Sequence, residues 1–270
     1  MPANEVTRRI ALKVSQRPTL SETKSQSQNY FDLHCHLLPG VDDGCEDIEE
    51  SLECIRLLSA AGFRGAVCTP HACVASFPDN VPRNIAKWVE TLREEIRDAG
   101  LEYEICAGAE LRLAPNNLSW FSLHGVPTLG NSRAVLVDWW GDDWPEFCDA
   151  TLDHLLKRGY QPILAHPERM GLEEKELSTV LESVTRRGVV LQGNLNSLGG
   201  GEGKRARDLA WNLLGAGRYH VLATDTHDPS SVPPRLQGLA KAENEAAEGT
   251  LAELLAKRTR AVISKVERAS

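Results

Sequence analysis

The 270-residue chain lacks any uninterrupted apolar stretch near the roughly 18 residues of a membrane-spanning helix, so membrane insertion is not expected. It also lacks a block of Lys and Arg. Thirty basic residues against 38 acidic ones leave a formal net charge of −8, which removes nucleic acid as a default partner. The acidic excess includes carboxylates able to hold cations, so it does not argue against an anionic substrate. There is no cysteine framework: seven Cys, an odd number without regular spacing, read as reduced thiols in a cytoplasmic protein. Cys68 and Cys106 sit inside apolar runs, where a small hydrophobe is the expected role. The first thirty residues show no apolar core ahead of a small-residue cleavage site. Rich in Ser, Thr, Gln and Asn, residues 1–29 are expected to form a disordered tail. No second domain boundary follows, so residues 30–270 are expected to form a single domain.

What is present is a repeating pattern. Short apolar runs end in polar, chemically capable residues, and amphipathic stretches follow them. The runs are YFDLHCH (30–36), GAVCTPH (65–71), YEICAGAEL (103–111), AVLVDWW (134–140), YQPILAHPER (160–169), GVVLQGNLNS (188–197) and YHVLATDTH (219–227). Their apolar bodies suit strands buried on both faces, as parallel sheets require. Segments 47–61, 83–99, 145–158, 173–187, 204–216 and 236–258 read as helices. Asp47 with Glu50 resembles a capping box, and Gly62 and Gly188 suit helix ends. Alternating β and α segments predict an α/β fold, a barrel or a doubly wound sheet, with functional groups at the carboxyl ends of the strands.

The His and acidic residues fall at those ends. His34 and His36 are two apart on a strand, so both imidazoles face one side, within reach of one ion. The turn PGVDDG that follows supplies oxygen ligands. His71 ends CTPH. Glu110 ends ICAGAE and can bridge two cations, or form an ion pair with an arginine; Arg112 two residues on can contact an anion. Asp138 ends AVLVD as ligand or helix cap, and Trp139-Trp140 either walls a cleft or packs. His166 is a candidate ligand with Arg169 as candidate phosphate clamp. Asn194 and Asn196 orient a substrate or cap a turn. Asp225 and His227 repeat the i, i+2 logic of the first motif at the far end of the chain, and in a closed barrel first and last strands are neighbours. Mixed imidazole and carboxylate ligands suit Mn, Fe or Zn better than Ca or Mg, and so many candidates imply two or three ions. His124, His154 and His220 fall outside this pattern.

Taken together, HCHLLPGVDDG, TPH, GAEL, AHPER and TDTH resemble the PHP (polymerase and histidinol phosphatase) superfamily. Within it they are most similar to bacterial tyrosine-protein phosphatases of capsule and exopolysaccharide operons. The resemblance covers about Tyr30 to Ile263. It implies a distorted seven-stranded (β/α) barrel, TIM-like, holding up to three metals, commonly manganese. It carries metal roles to His34, His36, Asp43, His71, Glu110, Asp138, His166, Asp225 and His227, with Glu110 the bridging carboxylate. Arg169, Asp43 and His71 become the candidate catalytic groups, and Arg169, Arg112, Arg235 and Asn196 the candidate substrate contacts. The implied substrate is phosphotyrosine on a tyrosine autokinase of polysaccharide export. Two positions depart from the family. Asp138 stands where Glu is usual, one methylene shorter. Val232 stands where an Arg often precedes Pro-Pro, and Arg235 is the candidate replacement.

Three rival readings remain. A histidinol-phosphate or other small-phosphoester phosphatase shares the superfamily. A metal-binding regulatory module would keep the ligands without turnover. A cysteine-dependent phosphatase would use Cys106 and Arg112, a literal C-x5-R match, but Glu110 would put a negative charge in its phosphate cradle.

Overall fold

The computed structural model describes residues 29–264. The expected tail therefore lies outside the described residues, apart from Asn29. The apolar runs form nine strands: β1 Tyr30–Cys35, β2 Phe63–Cys68, β3 His71–Ala72, β4 Glu104–Ala107, β5 Glu110–Arg112, β6 Ala134–Asp138, β7 Gln161–Ala165, β8 Val190–Asn194 and β9 Tyr219–Ala223. All named pairs are parallel. One sheet has the order β1-β2-β4 and the other β3-β5-β6-β7-β8-β9.

Nine strands rather than seven appear because two runs break internally. Between β2 and β3, Pro70 has no N–H to give a ladder. Thr69 Oγ1 instead accepts from Cys35 N at 3.1 Å. Between β4 and β5 the chain turns at Gly108, where a Cβ would lie 2.6 Å from Val67 Cγ1. The upper parts of these two staves, β3 and β5, thus shift sheets and carry His71 and Glu110 in register with each other. The ring closes beyond β9. A bridge joins Cys35 to Thr226; His36 N donates to Thr226 O at 2.7 Å, and Asp225 N to His34 O at 2.8 Å. The result is a distorted α/β barrel of seven staves.

Helices cover the outside. Ile48–Ala60 starts at Asp47, whose side chain accepts from Glu50 N, while Glu50 reaches back to Glu46 N rather than to the cap itself. Pro82–Asp98, Glu146–Lys157, Glu174–Arg186 and Gly203–Gly215 follow the expected segments within a residue or two. Gly62 and Gly188 both take positive φ just past helix ends, as expected there. Two segments differ from expectation. Asn117–His124 is a short helix without an amphipathic pattern to announce it, held by buried Trp120 and Phe121. The segment expected as one helix over 236–258 is instead Val232–Glu245, a break that includes Gly249 at φ 81°, and a second helical stretch from Thr250 to Ser264 with a π turn over Glu253–Lys257. No helix of the described residues is long and apolar enough to cross a membrane.

Candidate metal centre

Alternation along each strand turns one side chain in two toward the barrel axis. At the carboxyl ends of the staves this brings His34, His36, His71, Glu110, Asp138, His166 and Asp225 together, all buried. Asp43 and His227 lie at the outer edge, with side chains 59% and 23% exposed. Four overlapping groups have ligand atoms within 4.8 Å of one another: His36, Asp43, His71 and His227; His34, His166 and Asp225; His34, His36 and Glu110; and Glu110, Asp138 and His166. All nine residues expected as ligands fall within these groups.

Glu110 sits at the centre. Its Oε1 lies 3.0 Å from His166 Nε2, and its Oε2 lies 2.8 Å from His71 Nδ1, 3.4 Å from His34 Nε2 and 3.6 Å from His36 Nε2. Surrounded in this way, Oε2 still accepts no hydrogen bond, and neither does Asp138 Oδ2. Nε2 of His34 faces Nε2 of His36 at 3.2 Å. Buried oxygens without donors, and ring nitrogens that converge on one another, fit lone pairs aimed at cations.

The electrostatics point the same way. Burial alone would lower the His36 pKa, but Asp42, Asp225 and Glu110 outweigh it and raise the imidazole well above its ordinary value. Burial is likewise outweighed at His71, pushed up to about 10 by Asp43 and Glu110, and at His166, pushed up to about 9 by Asp138 and Glu110. Asp138 is pushed up to about 6 by burial and by the charge of Glu110. The cluster of carboxylates demands positive charge, and divalent ions meet that demand without protonating their ligands.

Two of the candidate ligands have strained backbones. His166 (φ 26°) and Asp225 (φ 56°) are the only non-glycine residues of positive φ among those described. Each such residue costs about 1–3 kcal/mol, so the surroundings must hold it. Arg235 holds Asp225: its guanidinium donates to the carbonyls of Thr224, Asp225 and Ser231. This corrects the expectation for Arg235. It is buried and committed to backbone rather than placed as a substrate contact.

The other expected substrate contacts divide. Arg169 stands at the cleft mouth, its Nη1 2.6 Å from Asp225 Oδ2 and its Nε 3.6 Å from Glu202 Oε2. Burial would lower its pKa, but Asp225 and Glu202 outweigh that and keep it cationic. Arg112 stacks on the Trp140 ring, with its guanidinium carbon 4.1 Å from the centroid, instead of entering the cleft. Asn196 Nδ2 donates to Glu202 Oε1 at 2.7 Å and its N–H to Asn194 Oδ1, so it braces a turn rather than facing the cleft. Asn194, left open as substrate group or cap, caps that turn and also donates to Asp225 Oδ2 at 3.0 Å. Cys106 lines a separate cavity with Arg93 and Gly130, and burial raises its thiol pKa, the opposite of an activated nucleophile.

Sequence reasoning missed the residues that hold the candidate ligands in place. Asp42 Oδ2 lies 2.7 Å from His36 Nδ1 and accepts from His71 N at 2.9 Å. Gln192 Oε1 lies 3.0 Å from His34 Nδ1. Buried Glu168 accepts from Asn194 N and from the Tyr219 hydroxyl. The HPER motif contained Glu168, and the PGVDDG turn contained Asp42 beside Asp43, but nothing in the spacing separates ligand from supporter.

A sequence profile of the capsular polysaccharide synthesis family CpsB/CapC matches residues 30–264. The chain belongs to this family. Tyrosine-protein phosphatase YwqE of Bacillus subtilis is 27% identical over 198 residues, 73% of this chain and 77% of the relative. Tyrosine-protein phosphatase CpsB of Streptococcus agalactiae is 29% identical over 214 residues, 76% of this chain and 86% of the relative. Among solved structures, one from a study of the metal-dependent tyrosine phosphatases YwqE of Bacillus subtilis and CpsB of Streptococcus pneumoniae superposes with a TM-score of 0.78. It is 24% identical and covers 86% of this chain and 94% of that one. A lactonase of Listeria monocytogenes matches at a TM-score of 0.52 and 11% identity, covering 89% of this chain and 96% of that one, a likeness of barrel architecture alone. The CpsB/CapC match spans every stave of the barrel, so the strand ends that carry the candidate ligands all lie inside the family's extent.

Proposed function

We propose that the chain is a metal-dependent protein-tyrosine phosphatase, a phosphoric monoester hydrolase of the cytoplasm. Its proposed phosphoprotein substrate is a tyrosine autokinase of capsule or exopolysaccharide synthesis. The observation that carries the metal reading is Glu110, buried and central, with one oxygen ringed by three imidazoles and accepting no hydrogen bond. The tyrosine-phosphatase relatives support the substrate class. Glu110 and the eight other candidate ligands would hold two or three divalent ions, manganese first, with iron or zinc as alternatives. Such ions would lower the pKa of water to near neutral and draw charge from the phosphoryl oxygens.

The chain's own groups then have defined tasks. Arg169, cationic at the mouth, meets the non-bridging phosphoryl oxygens. Asp225 divides its oxygens: Oδ1 faces His34 at 3.3 Å and His36 at 3.4 Å, while Oδ2 fixes Arg169, so clamp and ligand shell share one rigid side chain. The departing phenolate has a pKa of about 10, so proton donation to it matters less than for an alkyl ester. Asp43 and His71, 3.3 Å apart, line the cleft edge and would hold an ion where a phosphate would enter. Comparing turnover of a phosphotyrosine peptide with that of histidinol phosphate, manganese present, tests the reading. Preference for the peptide is expected; preference for histidinol phosphate would contradict it.

A further inference from the structure

Adjacent tryptophans at the cleft have different fates. Trp139 also borders the cleft but is tied down by packing: its indole N–H donates to Asp143 O at 2.6 Å and its ring meets Phe147 edge-on at 5.5 Å. Trp140 is 49% exposed, and among the described residues the other exposed large hydrophobic side chains are Val74, Leu118 and Leu123. A single exposed apolar ring is ordinary in itself, but this one is fixed in place beside the site. Trp140 lies edge to face with His71 at 5.0 Å, and Arg112 stacks over its ring at 4.1 Å. The indole is thus held in place beside a candidate ligand and lines the same cleft of about 340 Å³ as Glu110, His166 and Arg169.

We propose that Trp140 is the specificity-determining residue for the aryl group of the substrate, and that Arg112 is its positioning residue. The proposal rests on the phosphatase reading for the identity of the substrate. A phosphoryl group placed between the ligand cluster and Arg169 leaves its ester substituent to emerge past His71, where the exposed indole stands. A phenyl ring gains an offset or edge-on contact with the indole, whereas a short alkyl chain offers little surface and no quadrupole. Arg112 narrows the indole's freedom through a cation–π contact, so the ring is in place before substrate arrives.

The test measures binding rather than turnover. Manganese-loaded protein is titrated calorimetrically with phenylphosphonate and with methylphosphonate, which share the anionic head and differ in the ring. The wild type is expected to bind phenylphosphonate about tenfold more tightly. Trp140→Ala should bring that ratio close to one, with methylphosphonate affinity unchanged, and Trp140→Phe should keep most of it. Arg112→Met should weaken only the aryl ligand, and Arg112→Lys should restore part of the loss. Equal affinities in the wild type, survival of the preference in Trp140→Ala, or an equal loss for both ligands would overturn the assignment. A clear aryl preference in a protein that hydrolyses no phosphotyrosine would keep the role of Trp140 and remove the phosphatase reading.

Discussion

At the scale of single residues, the centre depends on side chains that touch no substrate. Asp42 fixes two candidate ligands at once, the His36 ring through Nδ1 and the His71 backbone through its N–H. Such supporters typically contribute about 10–100-fold in metal affinity. Asp42→Ala should raise the manganese concentration for half-maximal activity by about that factor, with activity recovered at excess manganese; an unchanged midpoint would contradict the role. Eight of the nine candidate ligands are legible in the sequence because they end or directly follow an apolar run, where a parallel sheet exposes side chains at its carboxyl edge; Asp43, in the acidic turn, is named only by the family resemblance. Asp42 is not legible, because the turn PGVDDG alone does not say which carboxylate points inward. Gly44 settles it: its Cα lies so close to His36 that a Cβ would sit 2.2 Å from His36 O, folding the turn back onto the strand and aiming Asp42 at the ring. Arg112 and Arg235 are harder still, since an arginine near a rim is equally consistent with anion, ring or backbone carbonyl as partner. Arg112 takes a ring and Arg235 takes carbonyls.

At the scale of elements, the helix Val232–Glu245 decides whether the last strand end is held in its strained geometry. Arg235 reaches from it to the carbonyls of Thr224 and Asp225. Its replacement by Met should lower both thermal stability and metal affinity. Hydrogen bonds to a charged group are worth about 1.5–3 kcal/mol, so a fall in Tm of several degrees is expected. A loss of substrate affinity alone, with Tm and metal affinity intact, would restore the substrate-contact reading of Arg235. The same helix packs backbone to backbone on the short helix Leu195–Gly199. A Cβ at Gly238 would lie 1.8 Å from Leu195 O, which a side-chain shift cannot relieve. Gly238→Ala should therefore destabilise by about 1–3 kcal/mol, read as a Tm drop of roughly 2–4 °C per kcal/mol. The strands were readable from their apolar bodies. Their breaks at Pro70 and Gly108, and the helix break near Gly249, depend on tertiary pairing that periodicity does not encode.

At the scale of the whole molecule, the two ends of the chain meet in one site. The HxH motif of β1 and the DxH motif after β9 join through the Cys35–Thr226 bridge and the hydrogen bonds beside it. Candidate ligands drawn from six of the seven staves, all but β8, would couple ion binding to global stability, because only the folded barrel assembles them. At a free metal concentration about 100 times Kd the gain is about 2.7 kcal/mol per site. A chelator should therefore lower Tm by several degrees, and added manganese should restore it; a Tm indifferent to both would argue against ions spanning the barrel. The most direct test of the metal-dependent phosphatase assignment is phosphotyrosine hydrolysis by chelator-treated protein with manganese added back, run beside Glu110→Ala. The account predicts loss of activity on chelation, recovery with manganese, and a Glu110→Ala protein that folds but neither retains the metal nor turns over substrate. Full hydrolysis in the presence of chelator, or wild-type activity in Glu110→Ala, would contradict it.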